Sequence, residues 1–355
     1  MAFYLIQFLF LSSFSLVKEK HFQKCIFYIS LIFYFFLSFL RWECGTDWDS
    51  YLKIFENSFV LNPDYEKGFA YLNYIVRAIT TNYTCCLFAE AVIIYLSLSY
   101  AFGKNFPKYP ILVFTAFFAL FRADMFFVRQ NIAVDLCLCS YACLIRNHKK
   151  RAFIFWVCAL FFHRSSIVFI LAFIFYNRYI KRNTFVVIIF VSLLSSTIFK
   201  TVIPILWEKT GISVFYLASF YLNAGTEETF GYGGGLSSFF IILRSSANRF
   251  LFLFFLILSR KKYKSDFTFN SLFNFYFISI CLFLIFAPLN LTLGRFQAYF
   301  SIYEVFLYPY LIDYHKNKYI KMLFFIVIIG WLFLRFYTAL QGNYEFYIPY
   351  KIKGF

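Results

Sequence analysis

Twelve apolar runs, separated by short polar segments, make up most of this 355-residue chain. A run of about 20 apolar residues is long enough to cross a bilayer as a helix. The alternation of apolar runs with charged connections therefore predicts an all-α, polytopic integral membrane protein. We expect about 10–12 transmembrane helices in a single domain over residues 1–355. The runs cover residues 2–17, 25–40, 84–102, 110–122, 126–145, 152–162, 165–177, 184–206, 236–259, 270–289, 296–312 and 322–338.

Several runs are shorter than the roughly 20 residues of a full span. The pair 110–122 and 126–145 and the pair 152–162 and 165–177 are therefore predicted to include tilted or re-entrant helices.

Short basic clusters lie in every second connection between the runs. Lys and Arg collect in cytoplasmic loops, so these six connections are predicted to be cytoplasmic. With twelve spans, both termini and the two longest connections, about 41–83 and 207–235, then lie on the outer side. The basic residues are Lys18, Lys20, Lys24, Lys104, Lys108, Arg146, Lys149, Lys150, Arg151, Arg178, Lys181, Arg182, Arg260, Lys261, Lys262, Lys264, Lys316, Lys318 and Lys321.

The two outer connections carry local signals of their own. Asn62-Pro63-Asp64 is a turn signal, and Tyr65–Ile79 is predicted to form a helix on the surface. Gly231–Gly235 is rich in glycine but lacks the preceding strand and the Lys-Ser/Thr pair of a phosphate-binding loop. A hinge is the favoured interpretation of that stretch.

Composition narrows the function classes. The chain is 62% hydrophobic and only 14% charged, and its net charge of +17 is spread over short clusters between runs. No soluble basic domain is left to bind nucleic acid, so we predict no nucleic-acid partner. The cysteines lie mostly in apolar runs without zinc-ligand spacing, and neither a metal nor a cofactor is predicted. The first run leads into Lys18–Lys20 without a small-residue cleavage site, so no cleavable signal is expected.

Six arginines lie in the halves of the apolar runs that are predicted to face the outer side. A charge within a bilayer is costly and usually faces a cavity or a partner. Arg also grips phosphate with two parallel hydrogen bonds, so the set predicts a basic cavity that opens outward. Snorkelling to the interface is the alternative, and it stays open for Arg244 and Arg335. The set is Arg41, Arg129, Arg244, Arg249, Arg295 and Arg335.

The acids and one histidine supply candidates for proton transfer. Glu90 and Glu304 are predicted to be buried counter-ions of the arginines. His163 lies on the outer side beside Arg and Ser residues, where an imidazole can act as a general base. Asp47, in a Gly-Thr-Asp loop, is favoured for function, whereas Asp49 is favoured as the N-cap of a helix over Ser50–Phe59.

These polar residues fall into six motifs along the chain. The motifs are Arg41…Gly45-Thr46-Asp47…Tyr51…Phe55, Glu66-x-Gly68-Phe69, Arg129-Gln130-x-x-Ala133, Phe162-His163-x-Ser165, Gly294-Arg295-Phe296…Tyr299-Phe300 and Tyr347-x-Pro349-Tyr350. Their order resembles the EpsG-like family of bacterial exopolysaccharide and O-antigen polymerases of the Wzy type, and the resemblance covers nearly the whole chain.

The resemblance implies a reaction and a place for it. Such polymerases work in the bacterial inner membrane, at its periplasmic face. They transfer a glycan from undecaprenyl diphosphate to the non-reducing end of another lipid-linked repeat unit. The implied partners are the undecaprenyl-diphosphate-linked oligosaccharide, membrane lipid, and a chain-length regulator and flippase.

The site expected from this resemblance combines a base with substrate-binding residues. His163 or Asp47 would activate the acceptor hydroxyl. Substrate binding is assigned to the remaining candidates, Arg41, Tyr51, Arg129, Gln130, Arg249 and Arg295, with the arginines holding the diphosphate as its charge develops.

Two other classes remain open. A flippase for the same lipid-linked unit would also need a basic, lipid-accessible cavity, although its charges are expected on both sides of a central path. A glycosyltransferase that takes sugar from a polyprenyl monophosphate would use an acid and a metal in the first outer loop, where Asp47 lies.

Overall fold

The computed structural model describes residues 1–17, 19–45, 47–60, 65–104, 108–121, 129–210, 236–289, 293–342 and 344–352. Within these ranges the regular structure is helical, which confirms the all-α prediction. The helices are α1 (Ala2–Phe14), α2 (Lys20–Leu40), α3 (Trp48–Glu56), α4 (Lys67–Ile79), α5 (Tyr83–Lys104), α6 (Pro110–Phe121), α7 (Arg129–Leu144), α8 (Lys149–Phe162), α9 (Ile170–Phe175), α10 (Arg182–Thr210), α11 (Leu236–Ser259), α12 (Phe267–Phe286), α13 (Ala298–Ser301), α14 (Tyr308–Asp313), α15 (Lys318–Gly342) and α16 (Tyr344–Tyr347).

Four helices of the described part are long and apolar enough to cross a membrane, namely α2, α5, α12 and α15. Shorter apolar helices lie at Ala2–Phe14, Pro110–Phe121, Arg164–Phe175 and Asn183–Ser195. The protein is thus a polytopic helical membrane protein, and the count of 10–12 spans stays a prediction.

The chain forms two compact units, one of residues Met1–Phe169 with Tyr308–Phe355 and one of residues Ile170–Leu307. In the first unit α7 is buried from Asn131 to Leu144. Cys139 Sγ donates to the Ser97 carbonyl of α5 at 3.2 Å, and Ser140 Oγ donates to the Ala152 carbonyl of α8 at 2.8 Å. These bonds satisfy polar side chains that would otherwise be costly in an apolar core.

The second unit is built around α12. Asp266 caps this helix by accepting a hydrogen bond from the Phe269 amide at 2.9 Å. Phe277 packs edge-on against Phe185 of α10 at 4.5 Å between ring centroids. The Tyr276 hydroxyl donates to the Arg249 carbonyl of α11 at 3.2 Å.

The run predicted as one span over 296–312 is interrupted in the structure. Two 3-10 segments, Leu293–Gln297 and Ile302–Phe306, flank the short α13, and α14 begins at Tyr308. Pro309 explains the last break, because proline fits the first turn of a helix but removes a backbone hydrogen bond when it lies further inside. Within the first outer connection, the predicted helix over Tyr65–Ile79 is confirmed as α4. The predicted turn Asn62–Asp64, Gly231–Gly235 and most of the connection 207–235 lie outside the described residues.

Loops predicted to share a side of the membrane lie together within each unit. In the first, the Asp313 carboxylate accepts from Lys108 at 2.5 Å and from Lys321 at 3.0 Å. In the second, Arg260 Nη2 donates to the Ile180 carbonyl at 2.5 Å. These contacts agree with the predicted alternation of loops, and the assignment of one side to the cytoplasm stays a prediction.

Candidate functional site

Residues 41–45, which begin the first outer connection, form backbone hydrogen bonds with C-terminal residues between Phe346 and Ile352. Arg41 forms an isolated antiparallel bridge with Ile352, and the Trp42 amide donates to the Lys351 carbonyl at 2.9 Å. The Gly45 amide donates to the Phe346 carbonyl at 2.9 Å. Gly45 has φ 114°, a conformation that favours glycine because it has no Cβ. The chain end therefore helps to shape the segment that leads into α3.

Two tyrosines of the C-terminal motif reach the N-terminal helices. Tyr350 Oη donates to the Leu37 carbonyl of α2 at 2.6 Å. The Tyr347 carbonyl accepts from Tyr4 Oη of α1 at 3.0 Å. The Tyr347-x-Pro349-Tyr350 motif thus holds the C-terminal residues against α1 and α2, beside residues 41–45.

Asp47, not Asp49, is the N-cap residue of α3, so the predicted cap was wrong. The helix begins at Trp48, two residues earlier than expected, because the buried Trp48 ring packs against Trp42 and Tyr83, each at 5.2 Å between centroids. The Asp47 side chain makes no capping hydrogen bond, and Asp49 is exposed in the first turn.

Glu66 connects Arg129 of α7 with the segment that follows α8. One carboxylate oxygen accepts from Arg129 Nη1 of α7 at 2.9 Å, and the other accepts from the Arg164 amide at 3.3 Å. The Glu66 side chain is 10% exposed and that of Arg129 is 26% exposed, so the ion pair is largely shielded from water. Glu66 therefore holds α7 and the segment after α8 at the start of α4.

Aromatic rings surround the Arg129 guanidinium. Its carbon lies 5.7 Å from the ring centroids of Tyr51 and Tyr65 and 5.5 Å from that of Phe69. Burial raises the pKa of Tyr51, and the Arg129 cation opposes that shift. The tyrosine is consequently neutral at physiological pH, and its ring is one of three that pack around the guanidinium.

Gly68 allows α4 to lie directly against the end of α8. A Cβ at this position would meet the Phe161 carbonyl oxygen at 2.8 Å, which is closer than a methyl group tolerates. The next residue, Phe69, is fully buried. The Glu-x-Gly-Phe motif thus combines an ion pair, a close backbone approach and a buried ring.

His163 ends α8 in an extended conformation, just before a 3-10 turn over Arg164–Phe169. Its Nδ1 lies 2.5 Å from Ser165 Oγ and accepts from the Ser165 amide at 3.3 Å. Because Nδ1 accepts, this hydrogen bonding assigns the ring proton of the neutral imidazole to Nε2. In this arrangement the imidazole offers a donor at Nε2.

Arg41 is buried at the end of α2. Its guanidinium lies 5.8 Å from the Trp48 ring centroid and interacts electrostatically with Glu90 of α5. That interaction agrees with the predicted counter-ion role of Glu90. Gln130 is half-buried beside Arg129 at the start of α7.

The remaining predicted arginines lie in the second unit. Arg249 Nη2 donates to Gln297 Oε1 at 2.7 Å, and the guanidinium carbon lies 4.1 Å from the Phe283 ring centroid. Arg295 lies on the 3-10 segment Leu293–Gln297 and is exposed. Arg249 and the motif around Arg295 are therefore brought together, while Arg244 is exposed on α11.

Sequence reasoning missed Glu66 as a site residue. The sequence shows Glu66 as an acid in an outer loop and as the first residue of a motif, but its partner, Arg129, lies 63 positions away.

Among the described residues, no three His, Cys, Asp or Glu side chains are grouped so that they could hold a metal ion.

Comparison with known proteins gives one result. Neither the curated proteins nor the solved structures contain a match. A sequence model of the EpsG family matches residues 24–352, which is nearly the whole chain and a range that contains the six motifs. The chain therefore belongs to the EpsG family, a group of polysaccharide-polymerase-like membrane proteins.

Proposed function

We propose that this protein polymerises a bacterial surface polysaccharide by transferring a glycan from undecaprenyl diphosphate to the non-reducing end of another lipid-linked repeat unit. The observation that carries the proposal is the convergence at Glu66 and Arg129. Segments around Tyr51, Glu66, Arg129 and Arg164, separate in sequence, meet there and bring a cation, a carboxylate and a tyrosine ring together, directly after His163 in the chain. All four segments lie on the predicted outer side, so the proposal places the reaction at the periplasmic face of the inner membrane.

The reaction forms one bond and breaks another. The acceptor hydroxyl oxygen bonds to the anomeric carbon of the donor glycan, while the bond from that carbon to the diphosphate oxygen breaks. The hydroxyl proton passes to a base, and the electron pair of the broken bond leaves with undecaprenyl diphosphate. Charge therefore develops on the diphosphate, where a fixed cation stabilises the transition state more than the ground state.

Arg129 is the proposed cation in the first unit. Glu66 uses Nη1, and the surrounding rings restrict the guanidinium to one orientation, so its other N–H groups are preorganised for a phosphate oxygen. Buried Arg41 is proposed to act through its electrostatic field. Arg295 and Arg249 are proposed to bind phosphate within the second unit, where Arg295 is the exposed member.

Asp47 is the favoured base. It precedes by one turn the residue Tyr51, whose ring centroid lies 5.7 Å from the Arg129 guanidinium carbon. His163 instead offers a donor at Nε2, because Ser165 occupies Nδ1. We therefore assign His163 to donate a hydrogen bond to a sugar or phosphate oxygen, and Asp47 to remove the acceptor proton.

Complementation of a strain that lacks the gene tests this assignment. Asp47→Asn, Arg129→Ala and His163→Ala are each expected to leave surface glycan of one repeat unit, with the long-chain ladder lost on a gel. Asp49→Asn is the matched control, because Asp49 is an exposed acid on the same helix. A full ladder from all three site variants, at wild-type protein levels, would overturn the assignment.

The deletion strain separates the proposal from a flippase. Loss of a polymerase leaves single repeat units on the outer surface, whereas loss of a flippase leaves lipid-linked units on the cytoplasmic face. Labelling of intact cells with a lectin or antibody against the repeat unit distinguishes the two. Repeat units that stay inaccessible in intact cells and appear only after lysis would refute polymerisation.

A further inference from the structure

Helix α4 turns an apolar face outward. Five exposed residues recur at positions i, i+3, i+4, i+7 and i+8, a spacing that puts them on one side of the helix. We call these residues the exposed stripe; they are Tyr71, Tyr74, Ile75, Ala78 and Ile79. Tyr71 is 53% exposed, Ile75 is 55% exposed and Ile79 is 80% exposed, although a helix on a water-facing surface normally directs such side chains inward. The proposed function gives the exposed stripe no role.

The polar groups of α4 lie away from the exposed stripe. Asn73, on the opposite side of the helix, is buried and donates to the Phe69 carbonyl at 2.9 Å. Arg77 is half-buried, with its guanidinium carbon 5.8 Å from the ring centroid of buried Phe55. Lys67 is exposed at the beginning of the helix, one turn before the stripe. The stripe itself therefore presents aliphatic and aromatic groups without a charge, which marks a surface that binds lipid or protein.

Contacts on the inner side place α4 at the level of the membrane boundary. Asn73 Oδ1 accepts a hydrogen bond from Cys86 Sγ at 3.3 Å. Cys86 lies three residues inside α5, a helix long and apolar enough to cross a membrane, or about 5 Å along the helix axis. Val76 of α4 packs against the cluster that contains Tyr83 and Leu87 of α5. The middle of α4 thus lies beside the first turns of a span.

The apolar surface continues beyond α4. Phe161, 53% exposed at the end of α8, adjoins the beginning of the helix, since its Cβ lies 3.1 Å from the position of a Gly68 Cβ. After α3, the ring of Phe59, 55% exposed, packs edge-on against Tyr74 at 5.7 Å between centroids. An apolar surface that extends over neighbouring segments at this depth fits lipid, because lipid surrounds the ends of the spans.

We propose that α4 lies in the plane of the membrane and that the exposed stripe inserts into the outer leaflet, at the boundary between headgroups and acyl chains. An in-plane amphipathic helix buries its apolar side about 5–10 Å into this region. Tyr71 and Tyr74 match its chemistry, because tyrosine is enriched where an apolar ring meets lipid and its hydroxyl meets water. Lys67 can extend its ammonium to headgroup phosphates.

A second protein chain is the other occupant that would cover the exposed stripe. Lipid is favoured by the connectivity, because the first outer connection runs between the spans α2 and α5 and α5 begins only four positions after Ile79. Helix α4 therefore stays close to the bilayer. Insertion removes apolar surface from water, at about 25 cal/mol per Å², without requiring a partner of matching shape.

Insertion would also set the depth of the candidate site. Glu66 is the N-cap residue of α4 and pairs with Arg129 at 2.9 Å. The helix would hold the guanidinium near the headgroups, where the diphosphate of a lipid-linked substrate lies. This consequence rests on the proposed function, whereas the insertion itself does not.

Fluorescence quenching in nanodiscs measures the depth of the exposed stripe. An environment-sensitive fluorescent amino acid is incorporated at Ile79 of the full-length protein, where an 80% exposed side chain leaves the packing intact. Lipids with a nitroxide near the headgroup quench from within the leaflet, and iodide quenches from water. Glu56, exposed on α3, is the matched control position. At Ile79 we expect lipid quenching to be roughly twofold or more above that at Glu56, and iodide quenching to be lower by a similar factor.

Equal quenching at the two positions would overturn the insertion, because both would then face water. Protection of Ile79 from both quenchers would overturn it in favour of a second protein chain.

The consequence for the site has its own readout in cells. Ile75→Asp places a charge in the leaflet and is expected to shorten the surface-glycan ladder, while Ile75→Leu keeps it. A full ladder from Ile75→Asp would refute the role of α4 in setting the depth of the site. Failure of the proposed function would instead appear as normal glycan length in the deletion strain.

Discussion

Replacing Glu66 with Gln tests the ion pair on which the candidate site depends. The two carboxylate oxygens of Glu66 accept from two different donors, Arg129 Nη1 at 2.9 Å and the Arg164 amide at 3.3 Å. A glutamine amide offers only one acceptor oxygen, so its NH₂ group must face one of these donors. The substitution also removes the charge that balances Arg129.

The size of the effect follows from burial. An exposed ion pair contributes about 0–1 kcal/mol, and breaking a fully buried one costs about 3–5 kcal/mol. With side chains 10% and 26% exposed, this pair lies between those limits. We expect Glu66→Gln to lower the unfolding free energy by about 2 kcal/mol, or an apparent Tm by about 4–8 °C if the first unit unfolds alone.

Two assays measure the consequences of the change. Thermal unfolding in detergent, followed by tryptophan fluorescence, reports stability, and the surface-glycan ladder reports polymerisation. A misplaced guanidinium is expected to lower polymer yield on the order of tenfold or more, because small displacements of a catalytic group cost that much. A double-mutant cycle with Arg129→Gln should give a coupling energy of about 1–3 kcal/mol.

The control is Glu56→Gln, which changes an exposed acid on α3. Glu66→Gln with the Tm and ladder of this control would refute the ion-pair reasoning. A lower Tm with a normal ladder would refute only the positioning role of Glu66.

Three further predictions concern packing and pH. Gly68→Ala should lower the unfolding free energy by about 1–3 kcal/mol, because the added Cβ meets the Phe161 carbonyl oxygen at 2.8 Å. Gly330→Ala is the control, since nothing lies within 4 Å of its added Cβ, and it should be neutral or stabilising. Equal Tm values for the two variants would contradict this prediction. Arg260→Lys should destabilise by about 1–2 kcal/mol, because the guanidinium packs against three aromatic rings at 4.1–4.8 Å and an ammonium cannot stack in that way; a wild-type Tm would count against it. Partial burial alone would raise the pKa of Asp313, but hydrogen bonds from two lysines hold it below its usual range. The stability that Asp313 contributes is therefore present above its unfolded pKa of about 3.9 and lost as pH falls through the folded value; Asp313→Asn should flatten the acid limb of a Tm–pH curve, and parallel curves would exclude the mechanism.

Local properties of the chain were enough to predict most of the fold. Long apolar runs become helices because a span must satisfy its own backbone hydrogen bonds, and α4 followed from its pattern and a turn signal. The capping residue of α3 was not predictable in the same way. Asp47 and Asp49 both suit an N-cap, and burial of the Trp48 ring against Trp42 and Tyr83 decided where the helix begins.

The sequence by itself determined the fold class, the alternation of loops and the residue types available for chemistry, because these depend on composition and spacing along the chain. Only the tertiary structure decided which of those residues meet. The pairing of Glu66 with Arg129, the approach of Gly68 to Phe161 and the packing of the C-terminal residues against Arg41 each join distant positions. Such contacts are set by helix packing, which no local pattern encodes.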